Sequence, residues 1–377
     1  MNLPVPRALL VSPISPWAGN FGAQQRTALA YDALSELMPV DVLLLSEGSE
    51  NRADAGDRPE ILANLSWKQP VLTLSRYSVN EWVDSWCHAN IDWARYGLVF
   101  GRYIASITKT SWPRHMRTMI DCDDANYRYT PKTATAVDRA LASARGWLRL
   151  RQSKAAIRKF DHAFFCTERD RSLFPCRSSS ILPNVVRLPV EPAAEPLPAG
   201  GTALIVGSMW YAPNRHGLDW FLEQCWPAVA ARCPALTLRV IGAAPPEERR
   251  RWERAVRTEA PGFVEDLRGE YARALFAIAP VHYGGGTCIK FLESAAFGRP
   301  CIVTEYVFEG FSADFRDGRS VLVARDARSM AEACVNLYEN AERRRAVAEQ
   351  AYDTVRRVYT VERFKGVVHD AVRELAR

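Results

Sequence analysis

The chain has 377 residues, enough for two domains of ordinary size, and its 48% hydrophobic and 24% charged residues are typical of a globular protein. This composition excludes disordered and fibrous classes. The formal charge is +6, but residues 101–160 hold thirteen Lys/Arg against four Asp, so the basic character is concentrated in the first half of the chain.

Apolar runs alternate with helical stretches along the whole chain. In the first half we predict a helix at 23–37 and strands at 8–12, 40–45, 97–100, 117–122, 163–166 and 180–183. In the second half we predict strands at 202–208, 236–242, 276–281, 301–304 and 320–324. Helices are predicted there at 214–232, 245–257, from 287, 326–356 and 361–376. Continuous apolar strands joined by helices predict parallel sheets covered on both faces.

A proline-rich stretch, "RLPVEPAAEPLPAGG" at 187–201, separates the two halves and predicts a linker. We therefore expect two doubly wound, Rossmann-like α/β domains at 1–186 and 202–356. A final helical segment, 357–377, is expected to pack back on the first domain. Ligands of such sheets bind at the carboxyl ends of the strands, so two facing sheets predict a central cleft for two substrates.

Cysteine usage and hydropathy indicate a cytoplasmic protein. The nine cysteines are odd in number and form no C-x-x-C pair, which favours neither a disulfide framework nor a zinc site. The N-terminal sequence lacks the apolar core of a signal peptide, and no segment approaches the roughly 18 apolar residues of a membrane span. We expect at most a peripheral attachment to a membrane.

The stretch "HYGGGTCIKFLESAAFG" at 282–298 joins a buried strand to a helix through three glycines. Thr287 is the predicted N-cap and Gly298 the predicted stop. Glycines allow close backbone approach, and a helix N-terminus favours an anion, with Lys290 in the first turn and Glu293 one turn later. This pattern predicts a site for a phosphorylated sugar. The alternative, a plain strand–helix turn with a solvated Lys–Glu pair, stays open.

Four segments of the second half carry a resemblance to a known family: "VGSMWYAPNRHGLDWFLEQCWPAV", "LTLRVIGAAPP", "GFVEDLRGEYARALFAIAPVHYGGGTCIKFLESAAFGRPCIVTEYVFEGF" and "GRSVLVARD". In order and spacing they resemble the nucleotide-sugar-binding domain of family 4 glycosyltransferases, which have the GT-B fold. Bacterial transferases that elongate surface polysaccharides look closest. The first half resembles the family more thinly, through "PISPWAGNFGAQQR" and "IDCDDANYRY".

The resemblance implies a donor site for a nucleotide-diphosphate sugar. Glu293 would bind the ribose, the turn up to Lys290 would hold the diphosphate, and Val264 would lie near the base. The implied donor-binding residues are Gly207, Ser208, Asn214, Val264, Gly285, Gly286, Thr287, Cys288, Ile289, Lys290 and Glu293.

The sequence departs from the family pattern at two places. The E-x7-E pattern keeps only its second member, Glu293, because the first position is Gly285. Ser208 and Asn214 stand in the segment where relatives often carry Arg and Lys. We expect Lys290 to take over catalytic stabilisation of the leaving diphosphate, and the alternative is a weak or inactive site.

The first domain supplies the expected acceptor side. Asp121 and Asp123 form a D-x-D at a strand end, which we interpret as acceptor-side carboxylates and candidate general bases rather than as a metal site. Gly22 and Arg26 would border the cleft, with Arg26 meeting the diphosphate or an anionic acceptor. The alternatives are strand-end carboxylates that cap a loop and an ordinary surface arginine.

Residues 139–160 contain seven basic and no acidic residues, with Trp147 and Leu148 among them. Such a helix favours anionic lipid, although a solvated helix face is equally compatible. No nucleic-acid motif accompanies it, and the six histidines show no metal-ligand spacing. No cofactor and no metal are expected.

The sequence thus predicts a metal-independent hexosyltransferase, retaining rather than inverting, that acts on a saccharide or lipid-linked saccharide in surface polysaccharide or glycoconjugate synthesis. The donor would be a nucleotide-diphosphate sugar. Two alternatives stay open: a nucleotide-sugar epimerase on the same fold, and a non-catalytic relative within a polysaccharide assembly complex.

Overall fold

A computed structural model describes residues 6–17, 22–48, 58–68, 77–123, 136–186, 201–284 and 286–377. The chain divides into two compact units, the first made of Met1–Asn184 with Val361–Arg377 and the second of Val185–Thr360. The expected linker at 187–201 falls outside the described residues except for Gly201, which begins a strand.

The first unit is a seven-stranded parallel sheet with helices. Its strands are β1 (Arg7–Ser12), β2 (Val40–Glu47), β3 (Ile61–Trp67), β4 (Tyr96–Arg102), β5 (Arg117–Cys122), β6 (His162–Phe165) and β7 (Ser179–Ile181). Its helices are α1 (Gly22–Ser35), α2 (Glu81–Asn90), α3 (Ile104–Ile107), α4 (Ala136–Ile157), α5 (Glu168–Leu173) and, at the C-terminus, α14 (Val361–Leu375), with a 3-10 turn at Trp93–Arg95. The strand order is β3-β2-β1-β4-β5-β6-β7. All pairs are parallel.

The second unit repeats the architecture with six strands. These are β8 (Gly201–Val206), β9 (Leu236–Ile241), β10 (Thr258–Gly262), β11 (Ala274–Ala279), β12 (Cys301–Thr304) and β13 (Leu322–Ala324). The helices are α6 (Ala212–Gln224), α7 (Trp226–Arg232), α8 (Pro246–Trp252), α9 (Leu267–Arg273), α10 (Ile289–Ala296), α11 (Glu305–Glu309), α12 (Ala327–Glu339) and α13 (Ala341–Val358). The order β10-β9-β8-β11-β12-β13 is again all parallel.

Apolar strands place the core of each unit on both faces of its sheet. In the second unit every residue of β11 is buried, and Phe276 and Ile278 point to one face while Ala277 and Ala279 point to the other. Burying a side chain of the size of Ile or Phe stabilises a fold by roughly 1.5–3 kcal/mol, so these strands fix the position of the loops that follow them. The predicted α/β class with two doubly wound parallel sheets is confirmed.

The structure corrects several predicted elements. The single helix predicted at 214–232 is two helices that meet at Cys225, because Pro227 in the first turn of α7 cannot continue the ladder of α6. The sequence patterns missed β3, which contains polar residues, and β10, which is five residues long and contains a proline. The predicted N-cap Thr287 is also wrong, since α10 begins one residue later with Cys288 as its N-cap.

The C-terminal helix α14 belongs to the first unit. Its Lys365 Nζ donates to Glu36 Oε1 at 2.6 Å, and the His369 ring contacts the Ala33 carbonyl of α1 at 2.8 Å. No helix in the described part of the chain is long and apolar enough to cross a membrane.

Candidate functional site

Two glycine-lined strand ends of the second unit are in direct contact. Gly207 follows β8 and Gly242 follows β9, with φ angles of +154° and +141°. A Cβ on Gly242 would lie 1.9 Å from the Gly207 carbonyl oxygen, so any side chain there would clash with the backbone. The loops that follow β8 and β9 therefore approach each other at a distance that only glycine allows. They lie at the carboxyl ends of the strands, where ligands of such sheets bind.

Lys290 and Asn214 meet at the same edge from two different helices. The Lys290 ammonium donates to Asn214 Oδ1, and Asn214 Nδ2 donates to the Ser208 carbonyl at 2.8 Å. A Cβ on Gly207 would lie 3.1 Å from Lys290 Nζ, which puts the cation against the glycine backbone. A half-buried ammonium, held by a neutral partner, keeps its positive charge available to an anion.

The N-terminus of α10 adds a second source of positive potential. Its N-cap, Cys288, makes no side-chain cap hydrogen bond, and the helix runs for eight residues with Lys290 in its first turn. The helix ends before Gly298, whose φ of +67° and N–H bond to the Ala295 carbonyl terminate it as predicted. The N–H groups of the first turn, the helix dipole and the Lys290 charge combine to favour a phosphate-like anion.

Glu293 lies one turn beyond Lys290 on the same helix and is half-buried. Burial raises the pKa of its carboxyl, against a smaller opposing effect of the Lys290 charge. In its ionised form the carboxylate accepts hydrogen bonds, so the hydroxyl groups of a ribose would be suitable partners for it.

Aromatic side chains border the glycine run from two sides. Tyr306 of α11 donates from its hydroxyl to the Gly284 carbonyl at 2.5 Å. The hydroxyl of Tyr211 would lie 2.8 Å from a Cβ on Gly284, so the ring occupies space that a side chain there would take. The Tyr283 hydroxyl and His216 Nδ1 are 2.5 Å apart. These contacts fix the conformation of the strand–helix turn.

The structure also describes the remaining predicted donor residues, apart from Gly285. Ser208 is exposed and contributes its carbonyl to Asn214, while Val264 and Ile289 are partly buried against the core. Thr287 and Cys288 are half-buried, and burial raises the pKa of the Cys288 thiol. Gly286 has a φ of +64°, and Gly285 lies outside the described residues.

In the first unit, Arg26 and Asp121 are buried and paired with each other. Two Arg26 N–H groups bond the two Asp121 oxygens at 2.8 Å, and the others reach Asn184 Oδ1 and the carbonyls of Leu182 and Pro183. Burial alone would raise the pKa of Asp121, but the charges of Arg26 and Arg102 outweigh it and hold the pKa below the ordinary value. This geometry favours a structural role over diphosphate binding for Arg26 and over proton abstraction for Asp121.

Asp123 and Gly22 stand at the same edge of the first sheet. Arg102 Nη2 bonds Asp123 Oδ2 at 3.0 Å, and burial raises the pKa of Asp123, opposed by Arg102. Gly22 is the first residue of α1. Among the described residues no group of three or more His, Cys, Asp or Glu side chains is arranged to hold a metal ion.

Sequence reasoning missed three residues of the site. Tyr306 stands 22 positions after Gly284, and no pattern links the two. Gly242 follows a predicted strand, and its position after the apolar run was a usable signal for a close backbone approach. Tyr211 lies between Ser208 and Asn214 in a segment that the sequence analysis singled out, but nothing in the sequence indicated a role for this residue.

The comparisons with known proteins agree on the architecture. Residues 200–340 match the family model described as Glycosyl transferases group 1. Sucrose-phosphate synthase from Thermosynechococcus elongatus superposes with a TM-score of 0.74 at 16% identity, covering 98% of each chain. Anabaena HepE in complex with UDP and glucose gives 0.65 at 12% identity, covering 98% of this chain and 100% of its own.

A third solved structure is longer than this chain. TarM of S. aureus gives a TM-score of 0.58 at 12% identity and covers 72% of this chain, which spans 54% of TarM. The search of curated proteins found no significant match. Residues 200–340 thus match the Glycosyl transferases group 1 model, and the whole chain shares the GT-B fold of these solved structures; both findings confirm the glycosyltransferase resemblance stated from the sequence.

Proposed function

We propose that the protein transfers a sugar from a nucleotide-diphosphate donor to a hydroxyl of a saccharide or lipid-linked saccharide acceptor. The observation that carries this proposal is the convergence of Lys290, Asn214 and Gly207 at the N-terminus of α10, with Glu293 one turn away. HepE, with which the chain shares its fold, is described in complex with UDP and glucose and with UDP-glucose.

The chemistry assigned to these groups is stabilisation of the leaving diphosphate. The bond from the sugar C1 to the β-phosphate oxygen breaks, and a bond from C1 to the acceptor oxygen forms. Negative charge grows on the diphosphate, where Lys290 and the α10 N–H groups stabilise it. Glu293 accepts hydrogen bonds from the ribose and holds the donor in place.

We propose that the reaction retains the anomeric configuration and needs no metal ion. Lys290 and the helix N-terminus supply positive charge that a divalent cation provides in other sites. On a retaining route the departing phosphate oxygen lies on the face of the incoming hydroxyl and takes its proton, so no carboxylate base is required. Product configuration by NMR and activity in the presence of EDTA test these two statements.

The donor site is tested by thermal stabilisation with UDP, GDP, dTDP, ADP and CMP. One nucleotide should raise the melting temperature, and the rise should disappear in Lys290→Ala and in Glu293→Ala. Arg328→Ala is the matched control, because this arginine lies on the surface of the same unit and pairs with Glu332. If no nucleotide stabilises the protein at millimolar concentration, the proposal fails.

We also propose a cytoplasmic location with peripheral contact at an anionic membrane surface. On α4, Trp147 and Leu148 are 61% and 47% exposed, and Arg145, Arg149 and Arg151 are exposed beside them. Apolar side chains flanked by arginines bind an anionic lipid interface. Flotation with phosphatidylglycerol vesicles, but not with phosphatidylcholine vesicles, supports this, and equal flotation of Trp147→Ser would contradict it.

A further inference from the structure

Two exposed aromatic residues stand directly beside the donor site. Trp210 is 66% exposed and Tyr211 is 47% exposed, and both follow Gly207 in the loop between β8 and α6. The loop is anchored at both ends, since the Met209 N–H bonds the Ala243 carbonyl at 2.9 Å and the Tyr211 N–H bonds the Ser208 carbonyl at 3.3 Å. The rings therefore project from a defined backbone.

The position of this loop relative to the site follows from three contacts. Gly207, at its start, lies against Lys290, and Tyr211, at its end, reaches Gly284. Between them Ser208 holds Asn214, the partner of Lys290. Trp210 therefore lies in a loop that contacts Lys290 at one end and Gly284 at the other.

The aromatic rings of Trp210 and Tyr211 are suited to binding a sugar ring. Single exposed apolar residues are common on protein surfaces, but two adjoining aromatic side chains on the rim of a polar, glycine-lined site form a ligand-facing surface. An aromatic ring carries negative potential on its face, which complements the weakly positive C–H groups on one face of a pyranose. The indole N–H offers a hydrogen bond to a sugar hydroxyl at the ring edge.

We propose that Trp210 and Tyr211 form an aromatic platform that binds the pyranose ring of a substrate of this enzyme. The inference rests on the proposed function and deepens it, because it assigns the recognition of the sugar to a segment other than the diphosphate-binding residues. The ring belongs either to the donor sugar or to the acceptor, and the two arms of the experiment separate these sources.

The experiment compares the wild type with Trp210→Ala, Trp210→Phe and Trp82→Ala by isothermal titration calorimetry. Trp82 is the matched control, a tryptophan of the other unit that is 55% exposed. In the donor arm, UDP is compared with UDP-glucose and GDP with GDP-mannose. In the acceptor arm, methyl glycosides of glucose, galactose, mannose and N-acetylglucosamine are titrated in the presence and absence of nucleotide.

If the platform binds a sugar ring, Trp210→Ala should lose affinity only for ligands that carry a sugar ring in addition to the nucleotide, or for a methyl glycoside. Trp210→Ala should weaken binding of the sugar nucleotide, or of a methyl glycoside, by about tenfold, while UDP and GDP alone bind as to the wild type. Trp210→Phe should restore most of the affinity, and Trp82→Ala should change nothing. A loss in the donor arm assigns the platform to the donor sugar, and a loss in the acceptor arm assigns it to the acceptor.

Other outcomes overturn the inference. Equal binding of every sugar-bearing ligand by Trp210→Ala and the wild type removes the platform but leaves the donor site intact. An equal loss for UDP and UDP-glucose assigns Trp210 to the nucleotide instead. If the wild type binds no nucleotide, the proposed function fails, and the methyl glycosides still decide whether the platform binds a sugar.

Discussion

Replacing Arg26 by methionine should destabilise the first unit strongly, although the sequence places this residue on an ordinary amphipathic helix. The variant keeps the length of the side chain and removes the guanidinium. It leaves Asp121, whose side chain is 0% exposed, with Arg102 as its remaining cation. It also removes the donors that serve Asn184 and the carbonyls of Leu182 and Pro183.

The magnitude follows from the burial of the pair. Removing one partner of a buried ion pair costs about 3–5 kcal/mol, because the other charge stays buried with less compensation. Arg102 still pairs with Asp121 in this variant, so we expect the lower end of that range. For a unit of about 200 residues, one kcal/mol lowers the melting temperature by roughly 2–4 °C, so we expect a decrease of about 10 °C. The charges of Arg26 and Arg102 outweigh burial and hold the pKa of Asp121 low, so its contribution to stability is present above the unfolded pKa and is lost only as pH falls through the folded pKa.

Differential scanning calorimetry at neutral pH measures this effect on the full chain. Arg171→Ala is the control, because Arg171 pairs with Glu168 on the surface of the same unit, where an ion pair contributes about 1 kcal/mol or less. The double variant Arg26→Met/Asp121→Leu should recover part of the loss, since it removes both charges. A decrease for Arg26→Met no larger than that of the control would refute the reasoning.

Three further predictions concern single groups. Burial lowers the pKa of His162 to about 4, so protonation of this side chain favours the unfolded state. The free energy of unfolding should therefore fall by about 3 kcal/mol between pH 6.5 and pH 4. In thermal melts, His162→Leu should make the stability less dependent on pH over this range. Gly207→Ala places a Cβ 3.1 Å from Lys290 Nζ, so nucleotide affinity measured by calorimetry should drop about tenfold, and unchanged affinity would show that Lys290 moves freely. Tyr306→Phe removes the hydroxyl bond to the glycine run, which should cost about 1 kcal/mol and weaken nucleotide binding about fivefold, whereas an unaltered dissociation constant would exclude a positioning role.

Several strands and one helix end could be predicted from the sequence, because they depend on the residues of a short segment. The apolar runs of β1, β5 and β12 predicted strands within one residue of their bounds, since a strand buried on both faces needs a continuous apolar segment. Gly298 predicted the end of α10, because a left-handed backbone position favours glycine. Strand β10, "TEAPG", was not predicted, since its pairing with β9 and not its residue preference makes it a strand.

The candidate site also has one part that the sequence predicted and another part that only the tertiary structure shows. The glycine run, Lys290 and Glu293 lie within one short stretch of sequence, so their proximity follows from helix geometry and was predictable. The bond between Lys290 and Asn214 joins residues 76 positions apart, and that between Arg26 and Asp121 joins residues 95 apart. Such pairs exist only because parallel strands bring distant segments to one edge of a sheet. The sequence alone determined which residue types stand at each strand end, and the order of the strands in each sheet decided which of them meet.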